Sequence, residues 1–282
     1  MKLNYSVPDE IKLLLSRTLL NSSEKVESVY AELFSFQDKL MMAGTIQNEE
    51  PNKALLSLDN FSDDFSYVKN LKESITDVGI DFPLTISKDS TKPLIMIVAM
   101  DPLRHLKNAK DIGYWVPFSI LNNIEKEVKY SEVQNLSFFH ELLNHYQIYL
   151  TDIFKVFYYN GKIKSNQDEN FTNKLKIHAE ILQEEIRITQ PVAILTLGIK
   201  SQNALHKAFV NNLQLLDKNN STIQIEESLL PVLSMPHISN ANNAAKKKFI
   251  DNPLYNNIPG QRNIKYAGII HSMLSNLILN KP

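Results

Sequence analysis

The sequence contains no cysteine in its 282 residues. This absence excludes disulfides, thiolate zinc sites, iron–sulfur clusters and cysteine nucleophiles, and it is typical of proteins of the cytosol. Glycine is also scarce, since the chain has only seven and no two of them lie close together. Glycine-rich phosphate loops and dinucleotide-binding fingerprints need closely spaced glycines, so both are excluded. We therefore expect neither a metal nor any other cofactor.

Long apolar runs are missing as well. No run approaches the roughly 20 residues that span a bilayer, and the first residues, MKLNYSVPDE, lack the apolar segment of a signal peptide. We therefore expect a cytoplasmic protein that has no membrane partner. Hydrophobic residues make up 43% of the chain and charged residues 22%, a globular composition that argues against disorder.

The formal net charge of −1 conceals an asymmetry along the chain. Residues 1–90 contain 9 Lys and Arg against 15 Asp and Glu, whereas residues 91–282 contain 21 against 16. A basic C-terminal part is compatible with binding to phosphate groups. Chance clustering of surface charge explains the asymmetry equally well.

The first 90 residues have the apolar spacing of helices. Apolar residues recur every three or four positions within 11–19, 26–40 and 65–75, which predicts three amphipathic helices. Pro8 and Ser62 stand where the first and third of them would begin. No cluster of titratable residues accompanies the pattern. We expect residues 1–90 to form an all-helical extension that packs on the rest of the chain or acts as a lid over it.

From residue 91 onward, short apolar runs alternate with helical stretches. The predicted strands are Leu94–Ala99, Ile148–Ile153, Val192–Leu197 and Val232–Met235. The predicted helices are 120–128, 136–146, 175–188, 201–210 and 264–279. Fully apolar strands separated by helices indicate a sheet that is covered on both faces. We therefore expect residues 91–282 to form an α/β domain with a central, mostly parallel four-stranded sheet flanked by helices.

Chemically active side chains follow the ends of these predicted strands, where ligands bind in sheets of this kind. They comprise two acids, an aromatic residue, a histidine and a serine, namely Asp101, Phe118, Asp152, His237 and Ser239. Each of them alone has an ordinary explanation, such as a turn or a solvated loop. Their convergence at one sheet edge predicts a functional site.

The order and spacing of these residues resemble the uracil-DNA glycosylase superfamily over about residues 91–280. The segment AMDPLR resembles that family's first motif, which is GQDPYH in one branch, and Phe118-Ser119 resembles the aromatic–serine pair that follows it. TDIFK resembles a motif of Thr-Asn, two hydrophobic residues and Lys, while PVAILTLG resembles the third strand. His237-Ile238-Ser239 resembles the second motif. The resemblance implies the superfamily's α/β fold and leaves residues 1–90 unexplained.

The resemblance also implies an activity, the hydrolysis of the N-glycosidic bond of a base flipped out of DNA, as in DNA repair. Asp101 would stabilise the cationic sugar and position water, and His237 would donate a hydrogen bond to the departing base. Phe118 would stack on that base beside Pro102. Asp152 stands where the family has a base-reading Asn.

Contacts to the DNA backbone are implied by the same resemblance. Ser239 and Asn240 would bind phosphate, and the run after them would extend the contact through Lys246 and Lys247. The solvated face of a short helix is the alternative explanation for the lysines. Single-stranded DNA, or duplex DNA with damage or a mismatch, is the expected partner.

Several departures from the family pattern leave other functions open. Ala99 replaces the glycine of the first motif, Leu103 replaces its aromatic residue, and Ala241 stands where many members have a large apolar wedge. One alternative is a non-catalytic member that binds nucleic acid or a protein. Another is an enzyme that acts on a free nucleoside or nucleotide.

The base that is recognised depends most on Asp152. An ionised carboxylate accepts from N3–H of uracil, but its second oxygen would face O4 of the base, which predicts poor recognition of uracil. Three alternatives remain open. The carboxyl group could be protonated in an apolar pocket, the true base could present an amino group, or Asp152 could cap the backbone of its loop.

Overall fold

The structure is a computed structural model. It describes residues 3–43, 56–69, 77–100, 112–115, 117, 137–159, 175–238 and 243–280. The strands in chain order are β1 (Asn4–Ser6), β2 (Asp77–Asp81), β3 (Leu84–Ser87), β4 (Leu94–Ala99), β5 (Ile112–Trp115), β6 (Gln147–Asp152), β7 (Val156–Tyr159), β8 (Ala193–Leu197), β9 (Leu213–Leu215), β10 (Asn220–Ile225) and β11 (Ser228–Met235). The helices are α1 (Asp9–Thr18), α2 (Ser23–Ala43), α3 (Ser66–Lys69), α4 (137–142), α5 (Leu175–Thr189), α6 (Ile199–Ala208), α7 (Asn243–Ile250) and α8 (Arg262–Leu279).

Eight of these strands form one mixed sheet in the order β1-β3-β6-β4-β8-β11-β10-β9. The four central strands, β6, β4, β8 and β11, are parallel to one another. Two antiparallel strands extend the sheet at each edge. The four predicted strands are the central ones, so the parallel centre is confirmed, whereas the predicted total of four is wrong.

The sequence pattern does not predict the outer strands, because they lack long apolar runs. The inner positions of β4 and all of β8 are buried, as expected for strands that are covered on both faces. By contrast, β1 and β9 have three residues each, and β10 has the polar sequence NSTIQI. A strand that pairs with an existing sheet edge is held by backbone hydrogen bonds, so its sequence needs little apolar character.

The first 90 residues form α1, α2 and α3 but also three strands, so the prediction of an all-helical extension is wrong. Strands β1 and β3 belong to the main sheet, and β2 is the middle strand of a second sheet in the order β5-β2-β7. These strands are too short for periodicity to distinguish them from loops or helix ends. The division into domains at residue 90 stays a prediction, and buried side chains from both parts belong to one hydrophobic core.

The main helices of the C-terminal part agree with the sequence analysis. The predictions for 175–188, 201–210 and 264–279 are confirmed as α5, α6 and α8, and the one for 120–128 lies outside the described residues. Helix α5 is amphipathic, and α1 packs against both α2 and α5. Within the described ranges, no helix combines the length and the apolar character needed to cross a membrane.

Helix α2 is joined to the start of β3 by Tyr30, whose side chain is buried. Its hydroxyl donates a hydrogen bond to the carbonyl oxygen of Pro83 at 2.7 Å. Its ring meets that of Phe82 edge to face, with ring centroids 5.3 Å apart. The contact therefore connects the N-terminal helices to the chain between β2 and β3.

We expect Tyr30→Phe to lower the free energy of unfolding by about 1–3 kcal/mol, because it leaves the buried carbonyl of Pro83 without a donor. Tyr149→Phe is the matched control, since the buried Tyr149 hydroxyl has no hydrogen-bond partner among the described residues. That control is expected to be neutral or slightly stabilising. Urea denaturation of both variants measures the difference, and equal effects would contradict the assigned hydrogen bond.

Candidate active site

The carboxyl ends of the four central strands lie level with one another. We call this end of the sheet, where the four strands finish, the sheet edge, and it differs from the edges formed by the outer strands β1 and β9. Ala99 and Asp152, the last residues of β4 and β6, pair with each other, and so do Leu197 and Met235, the last residues of β8 and β11. The chain segments that follow these strands therefore leave the sheet side by side. This edge is where a ligand is expected in an α/β sheet.

His237 lies at this edge, two residues after β11, and is half-buried. Gly198 follows β8 and donates its N–H to the carbonyl of Met235 at 2.8 Å. A side chain at Gly198 would begin 3.5 Å from the Cβ of His237, and the φ of +108° at Gly198 favours glycine. The exit of β8 is thus immediately beside the histidine.

Side chains of the two helices α7 and α8 form hydrogen bonds to the loop that carries His237. Lys246 of α7 is only 1% exposed, and its ammonium group donates to the carbonyl of Ile238 at 2.6 Å and to Asn263 Oδ1 at 3.2 Å. Burial lowers the pKa of Lys246, and the charge of Arg262 adds to the effect. Tyr266 of α8 donates its hydroxyl proton to the carbonyl of Pro236.

The two lysines predicted to bind DNA differ in their surroundings. The ammonium of Lys246 points into the protein, where it holds the backbone of the His237 loop rather than facing solvent. Lys247 is exposed and lies 3.9 Å from Asp251 in an i,i+4 pair. Of the two, Lys247 has the position from which a phosphate can be reached directly.

Asp152 is the last residue of β6 and is only 2% exposed. Its backbone N–H donates to Asp81 Oδ2 at 3.0 Å, so a second carboxylate lies directly against it. The remaining predicted site residues lie outside the described residues, namely Asp101, Pro102, Phe118, Ser239 and Asn240. Of these, Asp101 directly follows Met100, the residue after β4 that the structure still describes.

A buried charge cluster lies beneath the exit of β6. The Lys155 ammonium is 2.9 Å from Asp81 Oδ2 and 2.8 Å from Glu185 Oε1, and it also donates to the Thr151 hydroxyl. That hydroxyl lies 3.1 Å from Asp81 Oδ2 and 2.7 Å from Glu185 Oε2, and its single proton serves one of them at a time. All four side chains are fully buried. We call these residues the Lys155 cluster.

Burial is the largest influence on the pKa values of the three ionisable side chains in the Lys155 cluster. Burial raises the pKa of Asp81 although Lys155 opposes the shift, and burial together with the charge of Asp81 raises the pKa of Glu185 to about 7. For Lys155, burial alone would lower the pKa, but the two carboxylates outweigh it and raise the pKa. The lysine therefore stays charged, and the raised pKa of Glu185 favours its protonated form.

His178 is a buried histidine that forms a hydrogen bond to the backbone of Lys155. Its Nδ1 accepts the backbone N–H of Lys155 at 3.0 Å, so its proton is on Nε2, which lies 3.3 Å from the Tyr67 hydroxyl. Burial, reinforced by the charge of Lys155, lowers the pKa of His178 to about 3. The ring is therefore neutral at neutral pH and acts as a fixed acceptor for the backbone.

Sequence reasoning missed Asp81 and Glu185, and it assigned no role to Lys155 beyond its place in a motif. One signal was available. His178, Leu182 and Glu185 recur at helical spacing on the side of α5 that also carries Ile181, so Glu185 occupies an apolar position of the helix. An acid at such a position indicates a buried cationic partner. The spacing of residues in the sequence does not show which lysine is that partner.

A cavity of about 520 Å³ opens beside the exits of β8 and β11. Its wall includes apolar Ile199, Met235 and Phe249 together with the cations Lys218 and Lys248. Among the described residues that line it, none is a carboxylate. The charge on this side of the edge therefore favours an anionic ligand. No cluster of three or more potential metal ligands occurs within the described ranges.

We expect Glu185→Gln to change how stability depends on pH. The folded-state pKa of Glu185, about 7, exceeds the ordinary glutamate value of 4.5, so the wild type loses stability as pH rises through this interval. Gln cannot ionise, so the variant should gain stability relative to wild type between pH 5 and pH 8, by up to about 3 kcal/mol.

Urea denaturation at the two pH values measures this gain. The comparison with wild type cancels the opposite contribution of His178, whose lowered pKa makes stability rise with pH in both proteins. Glu184→Gln is the control, because Glu184 is its exposed neighbour and pairs with Arg187. A constant difference between Glu185→Gln and wild type across this range would contradict the assignment.

Comparison with known proteins places the chain within a family. A family model described as the uracil DNA glycosylase superfamily matches residues 88–255, which include β4, β6, β8, β11 and the His237 loop. No curated protein matches the chain. The match covers more than half of the chain and all four central strands. The chain therefore belongs to the uracil-DNA glycosylase superfamily.

Proposed function

We propose that this protein is a DNA glycosylase that hydrolyses the N-glycosidic bond of a base flipped out of DNA. The observation that carries the proposal is that Asp152 and His237 both lie where the central strands of a superfamily domain end. Asp152 ends β6 and His237 comes two residues after β11, and these are the outer two of the four central strands. Asp101 comes two residues after β4, which lies between those strands.

The reaction breaks the bond between C1′ of the sugar and a nitrogen of the base. The bonding electron pair leaves with the base, so positive charge develops on the sugar and negative charge on the base. In the proposal, the Asp101 carboxylate stabilises the sugar cation and positions the water that adds to C1′. His237 donates an N–H hydrogen bond to the departing base anion. The water adds to C1′ through its oxygen and gives up one proton, which the Asp101 carboxylate accepts and which ends on the released base.

Binding of the DNA is assigned to groups around this edge. Phe118 stacks on the flipped base, Pro102 contributes to binding of the substrate, and Ser239 and Asn240 bind phosphate. Lys247 adds an exposed positive charge on α7, while Lys246 contributes by holding the loop of His237. The cationic cavity beside β8 and β11 supports the binding of an anionic strand here.

The test is an abasic-site assay on oligonucleotides that contain uracil, hypoxanthine, xanthine or a mismatch. We expect wild type to release at least one of these bases, and His237→Ala to slow its release by about 10²–10³-fold, as for loss of one anion-stabilising donor. His140→Ala is the control, because His140 is exposed on α4, before the amino end of β6. Salt-dependent DNA binding without abasic sites would instead indicate a non-catalytic member of the fold.

Asp152 sets the base specificity in this proposal. Because its side chain is buried, an ionised carboxylate that faces uracil O4 would leave two acceptors desolvated together, at a cost on the order of 1–3 kcal/mol. We expect weak or no uracil excision by wild type and a gain in uracil binding or excision for Asp152→Asn. The same oligonucleotide panel measures both variants. Efficient uracil excision by wild type at neutral pH, unchanged in Asp152→Asn, would show that Asp152 does not read the base.

A further inference from the structure

We propose that Asp81 is a positioning residue of the active site, although it lies outside the stretch 88–255 that matches the superfamily. Its carboxylate holds the chain where β6 and β4 end, and thereby the segments that carry Asp152 and Asp101. The inference rests on the proposed glycosylase activity of that site. It assigns a function to the N-terminal part of the chain, which the superfamily match leaves unexplained.

Asp81 forms hydrogen bonds to several residues of the turn 151–155, which begins with the last two residues of β6. Asp81 Oδ2 accepts from the backbone N–H of Asp152 at 3.0 Å, from the Thr151 hydroxyl at 3.1 Å and from the Lys155 ammonium at 2.9 Å. The backbone N–H of Asp81 donates in turn to the carbonyl of Lys155 at 2.9 Å. One residue of β2 thus binds the turn 151–155 at both of its ends.

The same turn holds the end of β4. The backbone N–H of Ile153 donates to the carbonyl of Ala99 at 3.1 Å, and that of Phe154 donates to the carbonyl of Met100 at 3.0 Å. Met100 immediately precedes Asp101. The position of Asp81 is therefore transmitted by one backbone hydrogen bond to Ala99 and by another to Met100, the residue before the proposed catalytic acid.

A purely structural role would not require a carboxylate at this place. Apolar residues of similar volume often stabilise a core as well as a buried ion pair does, because charges lose hydration when they are buried. A carboxylate provides directed acceptors, and here one oxygen receives the backbone N–H of Asp152 and the Lys155 ammonium, with the Thr151 hydroxyl also within reach, all from the turn that carries the proposed site residue Asp152. Rates of bond cleavage depend steeply on such placement, since a shift of about 1 Å can reduce a rate by about 10²-fold.

Glu185 provides a matched control within the Lys155 cluster. It is as fully buried as Asp81 and pairs with the same ammonium, but among the described residues its carboxylate forms hydrogen bonds and ion pairs only with the side chains of Lys155 and Thr151 and not with the backbone of the turn. Removal of either carboxylate leaves Lys155 paired with the other one. Variants at the two positions therefore each remove one carboxyl group from the side of Lys155 and differ in their effect on the turn.

The experiment compares Asp81→Ala, Asp81→Asn and Glu185→Ala with wild type, at a temperature where near-ultraviolet circular dichroism shows each to be folded. The assay uses the oligonucleotide that wild type cleaves fastest in the panel described above. For Asp81→Ala we expect kcat to fall by about 10²-fold with KM within about threefold of wild type. Asp81→Asn, which keeps an acceptor and can fold where the alanine variant fails, should recover part of the loss. Glu185→Ala should stay within about threefold of wild type.

Equal loss of kcat in the Asp81 and Glu185 variants, or no loss in either, would overturn the proposal. A second readout separates this failure from failure of the glycosylase assignment. Amide hydrogen exchange of Asp152, Ile153 and Phe154 should accelerate at least tenfold in Asp81→Ala and remain slow in Glu185→Ala. If wild type excises no base, the proposed function fails, and exchange that is equal in the two variants then overturns the positioning role as well.

Discussion

One buried ammonium group, that of Lys155, joins three parts of the chain that are far apart in sequence. Asp81 belongs to the N-terminal part, Thr151 to the end of β6 and Glu185 to α5, and each lies within hydrogen-bonding distance of Lys155 Nζ. Since these groups have no exposed surface, loss of the ammonium would leave two carboxyl groups without a cation where water cannot solvate them. The packing of these three parts against one another therefore depends on Lys155.

The charges of this cluster explain its protonation. Two carboxylates share one ammonium group, so with both ionised the cluster would carry one excess negative charge in a region without solvent. A proton on Glu185 removes that excess, in agreement with its raised pKa. The positive Lys155 also keeps the adjacent His178 neutral, which preserves the acceptor for the Lys155 backbone N–H.

A second buried lysine acts in a comparable way at the other end of the edge. Lys246 binds the carbonyl of Ile238 and the side chain of Asn263, and so connects the His237 loop to α8. Both ends of the proposed site are thus held by ammonium groups that face inward. The three consecutive lysines of α7 look alike in the sequence, but successive helical residues point about 100° apart. That rotation places Lys246 in the core while Lys247 and Lys248 remain exposed.

The main architecture of the C-terminal part was predictable from local patterns. The continuous apolar runs of β4, β6, β8 and β11 can be buried only in the centre of a sheet, and the periodic pattern of α5, α6 and α8 is itself a helical signal. The order of the motifs at the strand ends was sufficient to predict the superfamily, which the family match confirms. Each of these features depends on residues that are close together in the chain.

Only the tertiary structure decided how the first 90 residues are used and how the site is supported. Strands β1 and β3 are too short to be recognised alone, and they exist because an edge of the main sheet is available for pairing. The contact of Asp81 with Asp152 joins residues separated by 71 positions, a distance at which sequence spacing carries no information. The sequence by itself determined the four central strands and the main helices of the C-terminal part, because local burial patterns specify them. The tertiary structure decided which charges meet in the core, because such pairs depend on how distant elements pack.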